Sequence, residues 1–182
     1  MSNYKCLIFL SMFVGCGSDL EVSPVSPLDG QTCVGSFDPA PAGTQPTDDA
    51  PLLQAALGKA GEGKLCAGQA LEATQPVTVY RVWNQAKDYT EFGSWWSFMR
   101  PTGSVEHYRE DNAICPEWSE LNQLTVCTIK VGAHFVVGPG QSASCMMMMY
   151  GKSSVNQVYI PNDTRASKVY VEGCTRLGAW PQ

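Results

Sequence analysis

The 182-residue sequence contains no hydrophobic run long enough to cross a bilayer as a helix, and no cluster of lysine or arginine residues. Its 12 Lys and Arg residues are outnumbered by 17 Asp and Glu residues, so the formal net charge is −5 at pH 7. Proteins that bind nucleic acid need a basic surface, so we expect no nucleic-acid partner. The sequence has only two histidines and no Cys-x-x-Cys pair, and we therefore expect no metal ligands.

Residues 1–15 have the features of a targeting segment. Lys5 supplies a positive charge, and the apolar run from Cys6 to Val14 is too short to span a membrane. The run ends in Phe13-Val14-Gly15-Cys16, which resembles the lipobox of bacterial lipoproteins. We therefore predict a signal peptide over residues 1–15 and a lipid on Cys16 that anchors the exported protein to a membrane, in the periplasm or at the cell surface. An ordinary secretory signal cleaved nearby is the alternative, and it also implies export.

The cysteines support this interpretation. If Cys6 leaves with the signal peptide and Cys16 carries the lipid, six of the eight cysteines remain. An even number of cysteines in an exported protein predicts disulfides, although their pairing cannot be deduced from the sequence. We expect up to three disulfides among Cys33, Cys66, Cys115, Cys127, Cys145 and Cys174.

Composition divides the exported part into a tether and one domain. Residues 16–47 are rich in Pro, Ser, Gly, Asp and Thr and lack hydrophobic periodicity, so we predict a tether that begins at the acylated cysteine. Cys33 indicates that a disulfide could hold part of this tether against the domain. Residues 48–182 contain enough Val, Ile, Trp and Tyr to form a single core.

The domain is predicted to contain few helices. A helix should begin near Thr47 or Asp48, which could cap it, and should end at the glycines that follow Leu57. A second helix is expected within residues 106–122. Alternating and β-branched segments predict strands at Pro76–Trp83, Leu124–Lys130, His134–Val137, Gln157–Ile160 and Ser167–Val171. The pattern predicts an α+β fold with a mixed or antiparallel sheet.

Two segments carry side chains suited to ligand binding. Arg81 lies inside the otherwise apolar stretch Val79–Trp83, where a guanidinium is costly to bury unless it meets an anion. Its planar fork suits a diphosphate or, alternatively, a structural carboxylate. Trp95 and Trp96, within Phe92–Phe98, could stack on a heteroaromatic ring or simply occupy core and surface positions.

A third segment, Val155–Pro161, begins with polar amides and reads as a strand. It follows the glycine-containing stretch Gly138–Ser154, which we expect to be mobile and able to close over a ligand. An edge strand after a hairpin is the alternative interpretation. Within this stretch, the four consecutive methionines Met146–Met149 are expected to fill irregular space in the core.

Together, the arginine in YRVW, the aromatic segment followed by Ser97, and the strand QVYIP resemble the ADP-ribosyltransferase superfamily. Its third motif usually carries a glutamate where this chain has Gln157. Within the superfamily, the chain is most similar to the tuberculosis necrotising toxin group of NAD glycohydrolases, through AICPEW (113–118), LTVCTIKVGAHF (124–135) and a glutamine at the catalytic position. The resemblance covers roughly residues 76–161 and implies an ADP-ribosyltransferase-like fold stabilised by disulfides.

The resemblance implies a role for each matching residue. Arg81 would hold the diphosphate of the dinucleotide, Ser97 would shape the nicotinamide pocket, and Gln157 would hydrogen-bond the nicotinamide ribose. These three residues form the expected catalytic set, and they must face one cleft if the protein is an enzyme of this kind. Further dinucleotide-binding residues implied by the resemblance are Trp95, Trp96, Tyr159 and Arg109. NAD or NADP would be the substrate, so no separate cofactor is expected.

The implied activity is that of an exported NAD glycohydrolase, which releases nicotinamide and ADP-ribose. A neutral amide at Gln157 cannot act as a base, and this favours water over a protein acceptor. Two alternatives remain: a mono-ADP-ribosyltransferase toxin and a non-catalytic surface-binding lipoprotein domain. A toxin of this type would also have a cognate inhibitor protein as a partner.

Overall fold

The computed structural model describes residues 27–37 and 40–181. The predicted signal peptide and the predicted lipidation site, Cys16, lie outside the described residues. Within the described ranges, no helix has the length and apolar character needed to cross a membrane.

The described chain contains two α-helices, α1 (Ala50–Ala56) and α2 (Val105–Asn112), and a short 3₁₀-helix (Asp88–Thr90). Asp49, rather than Thr47 or Asp48, caps α1, because its side chain accepts a hydrogen bond from the backbone N–H of Leu52. The other carboxylate oxygen of Asp49 lies 2.9 Å from Nδ1 of His134, and this hydrogen bond lowers the pKa of the Asp49 carboxyl.

Ten strands form three antiparallel sheets. A five-stranded sheet has the order β1-β2-β6-β9-β4, a three-stranded sheet has the order β10-β5-β3, and β7 pairs with β8. The strands are β1 (Thr44–Pro46), β2 (Gln69–Ala73), β3 (Val77–Trp83), β4 (Trp95–Trp96), β5 (Gln123–Ile129), β6 (His134–Pro139), β7 (Ala143–Ser144), β8 (Met149–Tyr150), β9 (Asn156–Tyr159) and β10 (Val171–Ala179). The α+β class and the small helix content predicted from the sequence are therefore confirmed.

The main core lies where the five-stranded and three-stranded sheets meet. Its fully buried side chains come from strands of both sheets, and they include Leu71, Val79, Ile129, Phe135 and Val158. Burial of such side chains stabilises a fold by about 1.5–3 kcal/mol each, which makes this cluster the principal link between the sheets.

All six expected cysteines form disulfides. The pairs are Cys33–Cys66, Cys115–Cys145 and Cys127–Cys174. Three disulfides are typical of a protein that matures in an oxidising compartment, which supports export from the cytosol.

The N-terminal part of the described chain lies on the domain surface. Cys33 is bonded to Cys66, and Asp29 forms an ion pair with Lys152 at 3.0 Å in which both side chains are largely buried. Strand β1 adds to the sheet edge through β2. The folded part of the chain therefore extends N-terminal of residue 48, where the composition change had placed the start of the domain.

Three local expectations differ from the structure. Of the stretch Gly138–Ser154, which was expected to close over a ligand, residues 138–141 are buried in the fold, where the side chain of Gln141 donates to Asp29 and to the carbonyl of Gly58. Met146–Met149 do not fill the core: they form the exposed tip of the β7–β8 hairpin, with Met147 93% exposed. The strand expected from Ser167 begins only at Val171, because Ser167 has a positive φ of 55° in a turn.

Candidate functional site

Arg81 and Gln157 line the same cavity, although they lie far apart in the sequence. The cavity measures about 370 Å³, within the range of small-molecule sites. Its walls come from three parts of the chain: the β3–β4–β9 region, helix α2 with the loop that follows it, and the loop before β2. The lining residues are Glu62, Lys64, Arg81, Val82, Trp95, Trp96, Tyr108, Asn112, Ala113, Ile114, Trp118, Ser119, Leu121 and Gln157.

Short strand β4 brings the two residues together. Its end is joined to β3 through backbone hydrogen bonds between Tyr80 and Ser97 in both directions. Its other edge pairs with β9, where Trp96 lies opposite Val158. The strand that carries Arg81 and the strand that carries Gln157 therefore both lie next to β4, and both side chains line the cavity.

The Arg81 guanidinium has no carboxylate partner among the described residues. Its Nε donates to the carbonyl of Thr90 at 2.8 Å, and a terminal nitrogen donates to the carbonyl of Trp95. The guanidinium carbon lies 5.9 Å from the centre of the Trp96 ring. Burial lowers the pKa of Arg81 to about 10, so the side chain still carries a positive charge at neutral pH. This cavity therefore contains a partly buried cation that has no carboxylate partner among the described residues.

Gly93 provides the space for that guanidinium. A Cβ added at this position would lie within 2.8 Å of the guanidinium carbon of Arg81 and still closer to one of its terminal nitrogens. Any side chain at residue 93 would therefore displace Arg81. Glycine is required here by the close approach of the arginine, since Gly93 does not have a positive φ.

Gln157 is 5% exposed, and a hydrogen bond holds its carboxamide at the nitrogen end. Its Nε2 donates to the backbone carbonyl of Asn112, at the end of α2, at a distance of 3.2 Å. Among the described residues, none donates a hydrogen bond to its Oε1, which is therefore the part of the amide available to a ligand. Gly140 allows this packing, because a Cβ there would lie 2.9 Å from Nε2 of Gln157.

Trp95 and Trp96 both line the cavity, but as consecutive strand residues they direct their side chains to opposite faces of β4. Trp96 is buried in the main core, whereas Trp95 is partly buried. Tyr159 packs behind Trp95, with ring centroids 5.0 Å apart and planes tilted by 55°. Tyr159 is not among the lining residues, so the structure places it where it supports Trp95 rather than where it would touch a ligand.

Ser97 and Arg109 are placed differently from the expectation. The hydroxyl of Ser97 donates to the carbonyl of Met99, and Ser97 does not line the cavity. The buried Arg109 guanidinium donates to the carbonyls of Ile114, Cys115 and Ser119. Arg109 therefore holds together the loop that forms one cavity wall and does not reach the cavity itself.

The sequence pattern did not single out Tyr108, Asn112 or Trp118, which also line the cavity. Tyr108 and Asn112 are four residues apart on α2 and so share one face of the helix. That spacing is visible in the sequence. The surface that this face covers depends on the tertiary packing, which the spacing alone does not indicate.

The arrangement is suited to binding an organic anion that contains an aromatic ring. It combines a guanidinium that has no carboxylate partner among the described residues, tryptophan side chains and a hydrogen-bond acceptor that is held in position. The cluster Cys115, Glu117 and Cys145 brings potential metal-ligand atoms together, but both sulfurs are bonded to each other in a disulfide. Those sulfurs are not thiolates, so this cluster does not form a metal centre.

Comparisons of the chain with family models, with curated proteins and with solved structures find no match. The function is therefore inferred from the residues that line the cavity.

Proposed function

We propose that the protein is an exported NAD glycohydrolase with an ADP-ribosyltransferase-like fold. The observation that carries this proposal is that Arg81, Gln157, Trp95 and Trp96 line one cavity. These are the residues that the resemblance assigns to the diphosphate, the ribose and the nicotinamide. Ser97 is left out of the proposed catalytic set because its hydroxyl is bonded to the carbonyl of Met99.

Hydrolysis of the N-glycosidic bond of NAD requires the protein mainly to position the substrate. Water adds to C1′ of the nicotinamide ribose as the N-glycosidic bond breaks, nicotinamide leaves as a neutral molecule, and one proton is released to solvent. The partly buried Trp95 would stack against the nicotinamide ring, and Oε1 of Gln157 would accept a hydrogen bond from a ribose hydroxyl. Arg81 would pair with a phosphate, and the buried walls would exclude bulk water.

The contact between Gln157 and Asn112 favours water as the acceptor. A glutamate at residue 157 would direct a carboxylate oxygen at the Asn112 carbonyl, to which Nε2 of Gln157 now donates. The site is therefore built for an amide, which can orient a ribose but cannot remove a proton from a protein side chain.

The decisive experiment measures nicotinamide release from NAD and NADP by the purified domain with its disulfides formed. We expect release by the wild type and at least a hundredfold loss in Arg81→Ala and Gln157→Ala. Arg165→Ala and Gln75→Ala serve as matched controls, because both side chains are exposed and lie outside the cavity lining. Equal rates in all five proteins would refute the assignment.

The same assay separates the alternatives. ADP-ribose attached to a protein or small-molecule acceptor, rather than released, would identify a transferase. Ligand binding without loss of nicotinamide would identify a non-catalytic binding domain.

We propose that the exported protein is anchored through lipid on Cys16. Export is supported by the three disulfides, and the lipobox-like sequence Phe13–Cys16 supports the anchor. Metabolic labelling with a fatty acid should mark the wild type and not a Cys16→Ser variant. Labelling of both proteins would place the lipid elsewhere, and labelling of neither would leave the protein secreted without an anchor.

A further inference from the structure

Helix α2 directs a phenol into the cavity next to the unpaired arginine. Tyr108 lines the cavity, and its hydroxyl makes no hydrogen bond with any residue in the described ranges. The ring itself is fixed, because it packs edge-on against Trp180 with centroids 5.1 Å apart. Trp180 is 4% exposed and is anchored by its own hydrogen bond to the carbonyl of Pro101. A rigid ring thus presents an unused hydroxyl to the cavity.

The electrostatic setting makes this hydroxyl a hydrogen-bond donor. Burial raises the pKa of Tyr108 to about 12, and this exceeds the opposing effect of the Arg81 charge. The phenol therefore stays protonated throughout the physiological range. Of the charged groups that act on it, the cation of Arg81 has the largest effect, and a guanidinium cannot accept its proton. An oxyanion can accept from both side chains and also matches the charge of the guanidinium.

The geometry points to Tyr108 as a substrate-binding residue: its hydroxyl and the Arg81 guanidinium form one anion subsite that takes a phosphate group of the dinucleotide. The identity of the anion rests on the proposed function, whereas the subsite itself rests on the two side chains.

The position of Asn112 supports this assignment. Residues four apart on a helix are neighbours, roughly 6 Å apart. Asn112 lies one turn after Tyr108 and holds Gln157 through its carbonyl. Helix α2 would therefore contact the phosphate end of the ligand through Tyr108 and position the ribose-binding amide through Asn112.

The test uses inorganic pyrophosphate as the probe and isothermal titration calorimetry as the measurement, on the full exported domain. Tyr108→Phe removes only the hydroxyl and leaves the contact with Trp180 in place. We expect it to weaken pyrophosphate binding about tenfold, the effect of one hydrogen bond to a charged group. Tyr89→Phe is the matched control, because Tyr89 is 55% exposed, lies under Arg165 and is outside this cavity. It should bind like the wild type.

Wild-type affinity in Tyr108→Phe, or no pyrophosphate binding by the wild type, would overturn the proposal. The NAD assay reports separately on the proposed function. Pyrophosphate binding that depends on Tyr108, in a protein that does not release nicotinamide, would keep the subsite and reject NAD hydrolysis. In an active enzyme, Tyr108→Phe should raise KM about tenfold and change kcat little, because the phosphate does not take part in bond breaking.

Discussion

Two arginines occupy equivalent places on the three-stranded sheet and have opposite surroundings. Arg81 on β3 and Arg176 on β10 both lie opposite Thr125 of the central strand β5. Each guanidinium lies near a tryptophan ring, Arg81 at 5.9 Å from Trp96 and Arg176 at 5.1 Å from Trp83. The two arginines therefore share a strand position and a tryptophan neighbour. They differ in whether the fold provides an anion to pair with the guanidinium.

The anion that pairs with Arg176 is a carboxylate of the protein itself. Arg176 forms a bidentate ion pair with Glu91, whose carboxylate also accepts from Thr125. Trp83 completes the chain of contacts by donating to the Thr125 hydroxyl. The hydrogen bonds with Arg176 lower the pKa of Glu91, and the same pair raises the pKa of Arg176. The charges of Arg176 and Glu91 therefore neutralise each other within the fold.

Among the described residues, Arg81 donates hydrogen bonds only to backbone carbonyls, and its pKa is lowered to about 10. Withdrawing a cation from water without a counter-charge is destabilising unless a ligand supplies the anion. The comparison teaches that an arginine in a strand is a candidate for anion binding when its neighbours solvate the guanidinium without neutralising it.

The largest effect is expected for Arg81→Met. Activity should fall at least a hundredfold, because the cation for the phosphate is gone. The free energy of unfolding should change by less than about 1 kcal/mol, since an apolar side chain of similar length removes a partly buried charge that has no carboxylate partner among the described residues. Nicotinamide release and urea denaturation measure the two quantities. A protein that unfolds on this change would make Arg81 a structural residue like Arg176.

Gly93→Ala should have a smaller effect on activity, about tenfold. The new Cβ would overlap the Arg81 guanidinium and shift it within the cavity. Gly151→Ala is the control, because a Cβ at Gly151 meets no atom within 4 Å. Equal activity in the two variants would show that the position of Arg81 is not important.

Arg176→Met should change stability instead of activity. It leaves the carboxylate of Glu91, which is 5% exposed, without its cation, and the melting temperature should fall by a few degrees. Water screens the exposed Arg176 side chain, which keeps the effect modest. Nicotinamide release at a temperature well below the melting point should equal that of the wild type. A large loss of activity would contradict the distinction between the two arginines.

The smallest effect is on the pH dependence of stability. The folded-state pKa of Glu91 is lowered, so its stabilising contribution is present above the unfolded pKa of about 4.3 and is lost as the pH falls through the folded value. Thermal melts between neutral and acid pH should show a shallower decline for Glu91→Gln than for the wild type. The decline should remain in part, because Asp29 and Asp49 also have lowered pKa values. An unchanged slope would contradict the role assigned to the pair.

The sequence predicted what depends on local pattern. The alternation of β3 located a strand, and the cost of burying Arg81 marked it as a candidate for anion binding. The parity of the cysteines predicted the disulfides, whose pairing required the structure. Strand β4, with two residues, is held in place by its neighbours rather than by its own propensity.

What the sequence did not predict depends on tertiary contacts. The face of α2 that carries Tyr108 is identified only by the surface that it covers, and Ser97 is removed from the site by a hydrogen bond to Met99. The exposure of Met146–Met149 follows from their place at a hairpin tip, because apolar composition alone predicts burial. The environment of Tyr108 is decided by residues distant in sequence, whereas Ser97 and the methionines are placed by local backbone geometry that composition does not reveal.

The bond between Cys33 and Cys66 also limits how the protein can sit on a membrane. With residues 27–37 held on the domain and a lipid on Cys16, only the ten residues 17–26 would separate the bilayer from the fold. Even when fully extended, these ten residues span only roughly 35 Å. If Cys16 is acylated, the height of the domain above the lipid surface, and the side that the domain turns towards the lipid, are then set by where residues 27–37 leave the domain.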